Sequence, residues 1–224
     1  MHSSKETPLI SLTEELVLLA IEDDGKIAYT AGSPGFAMAL IGACLVELNI
    51  LGRIDADLDA VNVLSTEPTG IETLDAILKQ LGAGPKRPVR TWSRELQPIC
   101  NELVKLSLRS LLQRGVLQQT EARFLWALRS RRYPMIDGKE QKEAKLRIIS
   151  MLLSTELPTP HDTVLIGLAV AGGLLESFLT RAQIAQLADR IGVVGGLDLV
   201  VRGVEAAIRD DAELRARVMM MSVH

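Results

Sequence analysis

The stretch PICNELVKLSLRSLLQRGVLQQTEARFLWALRSRRYPMID, from Pro98 to Asp137, decides the fold class that we expect for this chain. Its first part places apolar residues at helical spacing on one face, namely Cys100, Leu103, Val104, Leu108 and Leu111. The opposite face carries charged and polar side chains. This pattern predicts an amphipathic helix with Pro98 in its first turn and a stop at Gly115.

Two β-prone runs follow that stop and predict a hairpin. The runs are VLQQ at 116–119 and RFLWALR at 123–129, and residues 120–122 between them are typical of a turn. Phe124, Trp126 and Leu128 would then share one face of the second strand. Cations accompany these apolar groups at Arg129, Arg131 and Arg132.

The composition predicts a mainly α fold, a single compact helical domain with one or two small β-hairpins. Hydrophobic residues make up 47% of the 224 residues but aromatic residues only 3%, so Leu, Ile, Val and Ala must build the core. We expect residues 1–10 to be disordered, 11–218 to form the domain and 219–224 to form a tail. The longest apolar run, residues 164–175, is shorter than the roughly 20 residues that span a bilayer, so we interpret it as a core helix.

Helix-start signals recur along the rest of the chain. The pairs that predict capped helices are Ser11 with Glu14, Ser33 with Pro34, Thr69 with Glu72, Asp137 with Glu140, Thr159 with Pro160, and Thr180 with Gln183. Weak alternation over residues 54–64 predicts a second small hairpin. Glu47 lies in an otherwise apolar helix, so we expect it to pair with Arg53 just beyond the helix end. Trp92 is expected to be a packed anchor.

Charge is segregated along the chain in spite of a net charge of −3. Between Lys86 and Arg147 there are fifteen Lys and Arg against six Asp and Glu, a local balance of +9. Such a segment favours an anionic partner, either a nucleic acid or a membrane surface, although the cations would also suit ordinary solvated helix faces. The acidic pI near 5.7 and the lack of a recognisable helix-turn-helix disfavour nucleic acid.

Residues for catalysis or metal binding are not apparent. His2, His161 and His224 are too far apart for a zinc motif, and no phosphate loop, nucleophile elbow or calcium loop occurs. We therefore predict no enzyme activity, no metal and no cofactor. Cys44 and Cys100 fall inside predicted helices, and we expect buried thiols in a reducing compartment.

Several strings in the same order resemble the Golgi phosphoprotein 3 family, which includes the yeast vacuolar sorting homologue. They are LTEELVLLAIEDDGKI from Leu12, ACLVELNILGRI from Ala43, TEPTGIETLDAIL from Thr66, LLQRGVL from Leu111, RYPMID from Arg132 and DTVLIGLAVAGGLLESFL from Asp162. The resemblance implies a helical fold with a protruding hairpin and recruitment from the cytoplasm to membranes through phosphatidylinositol-4-phosphate. It also implies that the hairpin assists membrane contact and oligomer formation, and that cytosolic tails of membrane enzymes, glycosyltransferases in eukaryotic members, are partners. The short N-terminal extension suggests a prokaryotic branch.

The resemblance does not extend to the family's headgroup pocket, which uses a tryptophan, an arginine and two further basic residues. The positions that correspond in this chain are Gly32, Ile41, Asn101 and Val104. None of these residues offers the cationic donors that a phosphomonoester needs. Gly32 lies in a loop of variable length, where Tyr29 or Phe36 would be the nearest aromatic substitutes.

Two hypotheses follow for function. In the first, the protein is a non-enzymatic peripheral membrane protein that binds anionic phospholipid through the hairpin. Its contact residues would be Phe124, Trp126, Arg129, Arg131 and Arg132, supported by Lys86, Arg87 and Arg90. In the second, it is a homo-oligomeric scaffold or adaptor whose hairpin packs on a neighbouring subunit and never meets lipid.

Overall fold

The fold is mainly α, as the composition predicts. The structure, a computed structural model, describes residues 10–22, 25–28, 33–57, 59–118, 120–122, 130–132 and 138–221. The α-helices of this part are α1 Leu12–Leu19, α2 Pro34–Ile50, α3 Glu72–Ala83, α4 Val89–Glu95, α5 Cys100–Gln113, α6 Lys139–Leu153, α7 Pro160–Ala171, α8 Arg181–Gln186, α9 Ala188–Gly195 and α10 Leu199–Met221. Short 3₁₀ turns cover Gln97–Ile99 and Leu174–Ser177.

Helix α2 forms the centre of the core. From Phe36 to Leu48 its residues are buried, with Glu47 as the exception, and α1, α3, α4, α5, α7 and α10 pack around it. Glycines allow α10 to approach closely. A Cβ added to Gly42 would lie 2.6 Å from Cγ2 of Val204, and a Cβ added to Gly167 of α7 would lie 2.5 Å from Cγ1 of Val201. The small residues of α7 therefore serve helix packing.

Several helix starts and stops confirm the sequence signals. Ser11 forms a complete capping box with Glu14, and Ser33, Thr159 and Thr180 each accept a hydrogen bond from a first-turn amide. Gly115 ends α5 with a φ of +74°, a conformation that glycine adopts without strain.

Other helix boundaries differ from the predictions. The Thr69–Glu72 capping box does not form, because α3 begins at Glu72 and both the amide and the hydroxyl of Thr69 instead donate to the carboxylate of Asp75, at 2.6 and 2.7 Å. Helix α1 is short and ends at Leu19. Gly138, not Asp137, occupies the cap position of α6. The helix that starts after Thr180 is short, and α9 follows it directly after Leu187.

Two antiparallel hairpins complete the fold. Strands β1 Ile54–Ala56 and β2 Val61–Val63 pair as predicted, with Ile54 opposite Val63. The second hairpin, β3 Thr120–Ala122 with β4 Ser130–Arg132, has a register different from the predicted one. Its first strand is the segment predicted as a turn. Val116 and Leu117 are buried, and their amides donate hydrogen bonds to the carbonyl of Leu111. These two residues, which were expected to begin the first strand, therefore belong to the core and to the end of α5.

Candidate functional site

The stem formed by β3 and β4 is the described part of the expected contact hairpin. Thr120 lies opposite Arg132, Glu121 opposite Arg131 and Ala122 opposite Ser130. Within the described residues, the two strands pair mainly with each other, and no helix packs closely on either strand.

Polar contacts tie both ends of the hairpin segment to α1. Before the hairpin, Nη1 of Arg114 lies 3.1 Å from the buried carboxylate of Glu14. After the hairpin, the side-chain amide of Gln141 donates to the carbonyl oxygens of Leu18 and Ile21, at 2.8 and 2.6 Å. Gln141 is itself buried, so these hydrogen bonds form away from water and fix the start of α6. These contacts hold the end of α5 and the start of α6 against α1.

The predicted lipid-contact residues are only partly within the described chain. Arg131 and Arg132 belong to β4, and their side chains are not part of the description. Phe124, Trp126 and Arg129 lie outside the described residues. The shared aromatic face and its exposure remain predictions.

The three supporting cations have different surroundings. Lys86 is exposed and makes no ion pair within the described residues. Arg87 forms an ion pair with Glu95, and its guanidinium carbon lies 6.0 Å from the ring centroid of Trp92. Trp92 is buried, as predicted for a packed anchor. Arg90 extends towards Asp210 of α10, a contact for which there was no local signal along the chain.

The positions that correspond to the family's headgroup pocket do not form a phosphate site. Ile41 is fully buried in α2, whereas Asn101 is exposed and Val104 partly buried on α5. Phe36 is 1% exposed and belongs to the core, so it is not an accessible aromatic substitute. Gly32 and Tyr29 lie outside the described residues.

Glu47 caps a helix instead of pairing with Arg53. Its carboxylate accepts hydrogen bonds from the amides of Leu12 at 3.0 Å and Thr13 at 3.4 Å, and from the hydroxyl of Thr13. Arg53 donates from Nε to the carbonyl of Glu67 at 3.1 Å. Burial raises the pKa of Glu47, although these hydrogen bonds act in the opposite direction. The acid in the apolar helix therefore satisfies the first-turn donors of α1.

A second polar cluster joins α1, α6 and α7. Glu15 accepts a hydrogen bond from Nη2 of Arg147 at 2.6 Å and lies 2.7 Å from Nε2 of His161. The Nε atom of Arg147 also lies 2.8 Å from Oδ1 of Asp162. This contact is an ion pair, but its geometry is not that of a hydrogen bond. The hydrogen bond to Glu15 raises the pKa of His161, while partial burial opposes this effect. The cluster connects three helices, and His161 also borders a cavity of about 830 Å³.

The remaining reactive groups are shielded. Cys44 and Cys100 are free and buried, as predicted. Burial raises the pKa of Cys44 far above its ordinary value and that of Cys100 to about 11. Within the described ranges, no three His, Cys, Asp or Glu side chains are placed to hold a metal ion, and no helix combines the length and apolarity needed to cross a membrane.

Two arginines that the sequence interpretation missed lie beside Arg90. Arg202 and Arg209 of α10 line a cleft of about 510 Å³ together with Arg90 of α4. Arg202 and Arg209 are seven residues apart and therefore lie on one helix face, and this spacing is the sequence feature that could have identified the pair. The third arginine comes from more than a hundred residues earlier in the chain, so spacing alone could not reveal the cluster.

Helices packed around α2, with a short hairpin stem between α5 and α6, define a mainly α domain that carries small β-hairpins. The sequence profile of the Golgi phosphoprotein 3 family matches residues 12–210. The chain belongs to this family. A search of curated proteins found no match.

Proposed function

We propose that this protein acts at the cytoplasmic surface of a membrane, as a peripheral protein that binds anionic phospholipid through the β3–β4 hairpin. The single observation that supports this most is the stem itself. Its described strands pair with each other with little helix packing, and the helical segments on either side contact α1 through Arg114 and Gln141. Family membership supports the same assignment. We assign the protein no catalytic step.

The sequence of the hairpin has the two components of interfacial binding. Phe124 and Trp126 would lie at the headgroup boundary, where aromatic rings are favoured. Arg129, Arg131 and Arg132 would each add about 1 kcal/mol of attraction to an anionic surface. Together the arginines correspond to about 3 kcal/mol, or roughly 100-fold in affinity.

The proposal concerns anionic surfaces in general rather than one headgroup. Ile41, Asn101 and Val104 give the family's phosphoinositide pocket no cationic donor in this chain. We therefore expect binding to follow the negative charge density of the vesicle. Cytosolic tails of membrane enzymes stay a predicted class of partner.

Liposome co-sedimentation tests the assignment. The test variant replaces Arg129, Arg131 and Arg132 by Glu, and vesicles contain phosphatidylserine in phosphatidylcholine, with pure phosphatidylcholine as the reference. We expect affinity to fall by at least about 100-fold.

A matched control separates the hairpin from overall charge. Replacing Lys79, Arg181 and Arg217 by Glu changes the net charge equally, and all three side chains are exposed on other helices. This control should retain most of the binding. Unchanged binding by the hairpin variant, or an equal loss in the control, would remove the hairpin from the proposal.

A homo-oligomeric scaffold is the second candidate, favoured by an exposed apolar rim. A cavity of about 830 Å³ lies among the ends of α1, α2, α7 and α10. Ile50 and Leu197 at its border are 76% and 55% exposed, and such patches commonly mark protein contacts. If the hairpin packs on a second copy, deleting residues 123–133 should change the sedimentation coefficient of the assembly. An unchanged oligomeric state would exclude oligomer formation through the hairpin.

A further inference from the structure

We propose that the cleft between α4 and α10 is an anion-binding site that takes a phosphate-bearing ligand through Arg90, Arg202 and Arg209. The site does not depend on the hairpin contact proposed above, and it is separate from the family positions on α2 and α5. It therefore requires its own test.

Close helix packing brings the arginines together. A Cβ added to Gly203 of α10 would lie 2.7 Å from the Cβ of Val89, so only glycine allows the two helices to approach this closely. Val89 is fully buried at this contact. Arg90 and Arg202 are the sequence neighbours of the contacting pair, and both are exposed at the edge of the crossing.

One face of α10 forms the second wall of the cleft. Arg202, Ala206 and Arg209 are spaced at i, i+4 and i+7, so they share a face, and all three line the cleft. The small side chain of Ala206 leaves space between the two arginines, whose Cα atoms are separated by about 10 Å along the axis. The cleft encloses about 510 Å³, enough for a phosphate group together with part of the molecule that carries it.

The β1–β2 hairpin forms part of the rim of the cleft. Asp59, from the turn between β1 and β2, and Pro88, which precedes α4, also line the cleft. The amide of Val61 donates to the carbonyl of Arg87 at 2.8 Å and so fixes the hairpin beside the start of α4.

The guanidinium groups are available to a ligand. Among the described residues, the side chains of Arg202 and Arg209 make no hydrogen bond or ion pair. Arg90 lies 3.9 Å from Asp210, and both side chains are more than one third exposed, so this pair is weak and easily exchanged. An incoming anion would therefore have to replace only the weak ion pair between Arg90 and Asp210.

The charge balance indicates which anion fits. Glu205 and Asp59 also line the cleft, so the lining residues carry a net charge of +1, and Asp210 beside Arg90 offsets part of it. A ligand with a single carboxylate would be attracted only weakly, because the carboxylates of Glu205 and Asp59 already offset two of the three positive charges. A phosphate group carries about −1.5 to −2 at neutral pH and accepts bidentate hydrogen bonds from guanidinium. The charge balance therefore favours a phosphate-bearing ligand over a simple carboxylate.

Isothermal titration of the full chain with inorganic pyrophosphate tests the site. A second arm measures binding to vesicles that contain phosphatidic acid, with Arg129, Arg131 and Arg132 replaced by Glu in every protein compared, so that the hairpin does not contribute to vesicle binding. The test variant is Arg90→Gln with Arg202→Gln. Its matched control, Arg94→Gln with Arg217→Gln, removes the same charges from the same two helices outside the cleft. We expect pyrophosphate affinity to fall at least about tenfold in the cleft variant and less than about twofold in the control.

A gain of affinity provides a result that misfolding cannot imitate. Glu205 is partly buried, and burial raises its pKa while Arg209 and Arg202 lower it, so its carboxylate lies within electrostatic reach of both arginines. Glu205→Gln removes this competing charge and should tighten pyrophosphate binding about threefold.

The two arms identify the source of the phosphate. Loss of both pyrophosphate and vesicle binding in the cleft variant supports a lipid headgroup, whereas loss of pyrophosphate binding alone supports a soluble ligand. Absence of pyrophosphate binding to the wild-type protein, or equal losses in the cleft variant and its control, would overturn the proposal.

Discussion

Glu47→Ala removes a single side chain that completes the N-terminus of α1. Its carboxylate accepts hydrogen bonds from the amides of Leu12 and Thr13, at 3.0 and 3.4 Å, and from the Thr13 hydroxyl. Loss of a capping acceptor costs about 1 kcal/mol. A buried hydroxyl left without its acceptor costs about 1–2 kcal/mol more. We expect the free energy of unfolding to fall by about 2–3 kcal/mol near neutral pH.

The destabilisation should depend on pH, because burial raises the pKa of Glu47 above its ordinary value of 4.5. The folded protein then binds this proton more tightly than the unfolded chain does. The stability contributed by protonating Glu47 is fully present below 4.5 and is lost as pH rises through the folded pKa. The difference in unfolding free energy between wild type and Glu47→Ala should therefore be larger at about pH 5 than at about pH 8.

Urea unfolding followed by far-UV circular dichroism measures these free energies, and double-mutant cycles identify the partner of Glu47. Thr13→Val should couple to Glu47→Ala by about 1 kcal/mol, whereas Arg53→Ala should couple by less than about 0.5 kcal/mol. Stronger coupling to Arg53 than to Thr13 would refute the capping role. An effect of Glu47→Ala below about 0.5 kcal/mol would refute it equally.

Three further predictions concern packing and titration. Gly167→Ala should lower the free energy of unfolding by about 1–3 kcal/mol, because the added methyl group would overlap Val201. In thermal unfolding, adding Val201→Ala should restore part of the lost stability. Absence of any rescue would contradict the close packing of α7 and α10. His161→Ala should lower the free energy of unfolding most below about pH 6.5, and the loss should decline as pH rises, because the hydrogen bond to Glu15 raises the pKa of His161. Urea unfolding at several pH values measures this difference, and a constant difference would contradict the linkage. Neither cysteine should react with iodoacetamide in the folded protein, because both thiols are buried with raised pKa values; mass spectrometry showing modification at the unfolded rate would contradict this shielding.

Local signals predicted most helix starts because a cap involves residues only three positions apart. Ser33, Thr159 and Thr180 illustrate this, since each hydroxyl reaches an amide of its own first turn. Thr69 has the same signal, but Asp75 lies six residues further along and accepts its amide and hydroxyl protons instead. A local rule is therefore wrong where a neighbouring side chain competes for the same donors.

Contacts between distant segments could not be predicted from spacing. Arg53 is the nearest cation to Glu47 in sequence, but the packing of α1 on α2 brings the donors of Thr13 to the carboxylate from 34 residues away. The hairpin register was missed for a similar reason, because Val116 and Leu117 contribute to the core as well as being β-prone. Strand propensity does not distinguish a residue that extends a hairpin from one that closes a helix.

The packing of α2 gives a physical reason to expect the family fold without the family's lipid pocket in this chain. Ile41 is fully buried, so an arginine at this position would have to place its charge within the core, at a cost of several kcal/mol without a partner. The pocket cannot be restored by changing that residue alone, since α2 would have to shift against its neighbours. Arg202 and Arg209 carry no such cost because they are exposed on the last helix. Phosphate recognition at the α4–α10 cleft is therefore compatible with an intact apolar core.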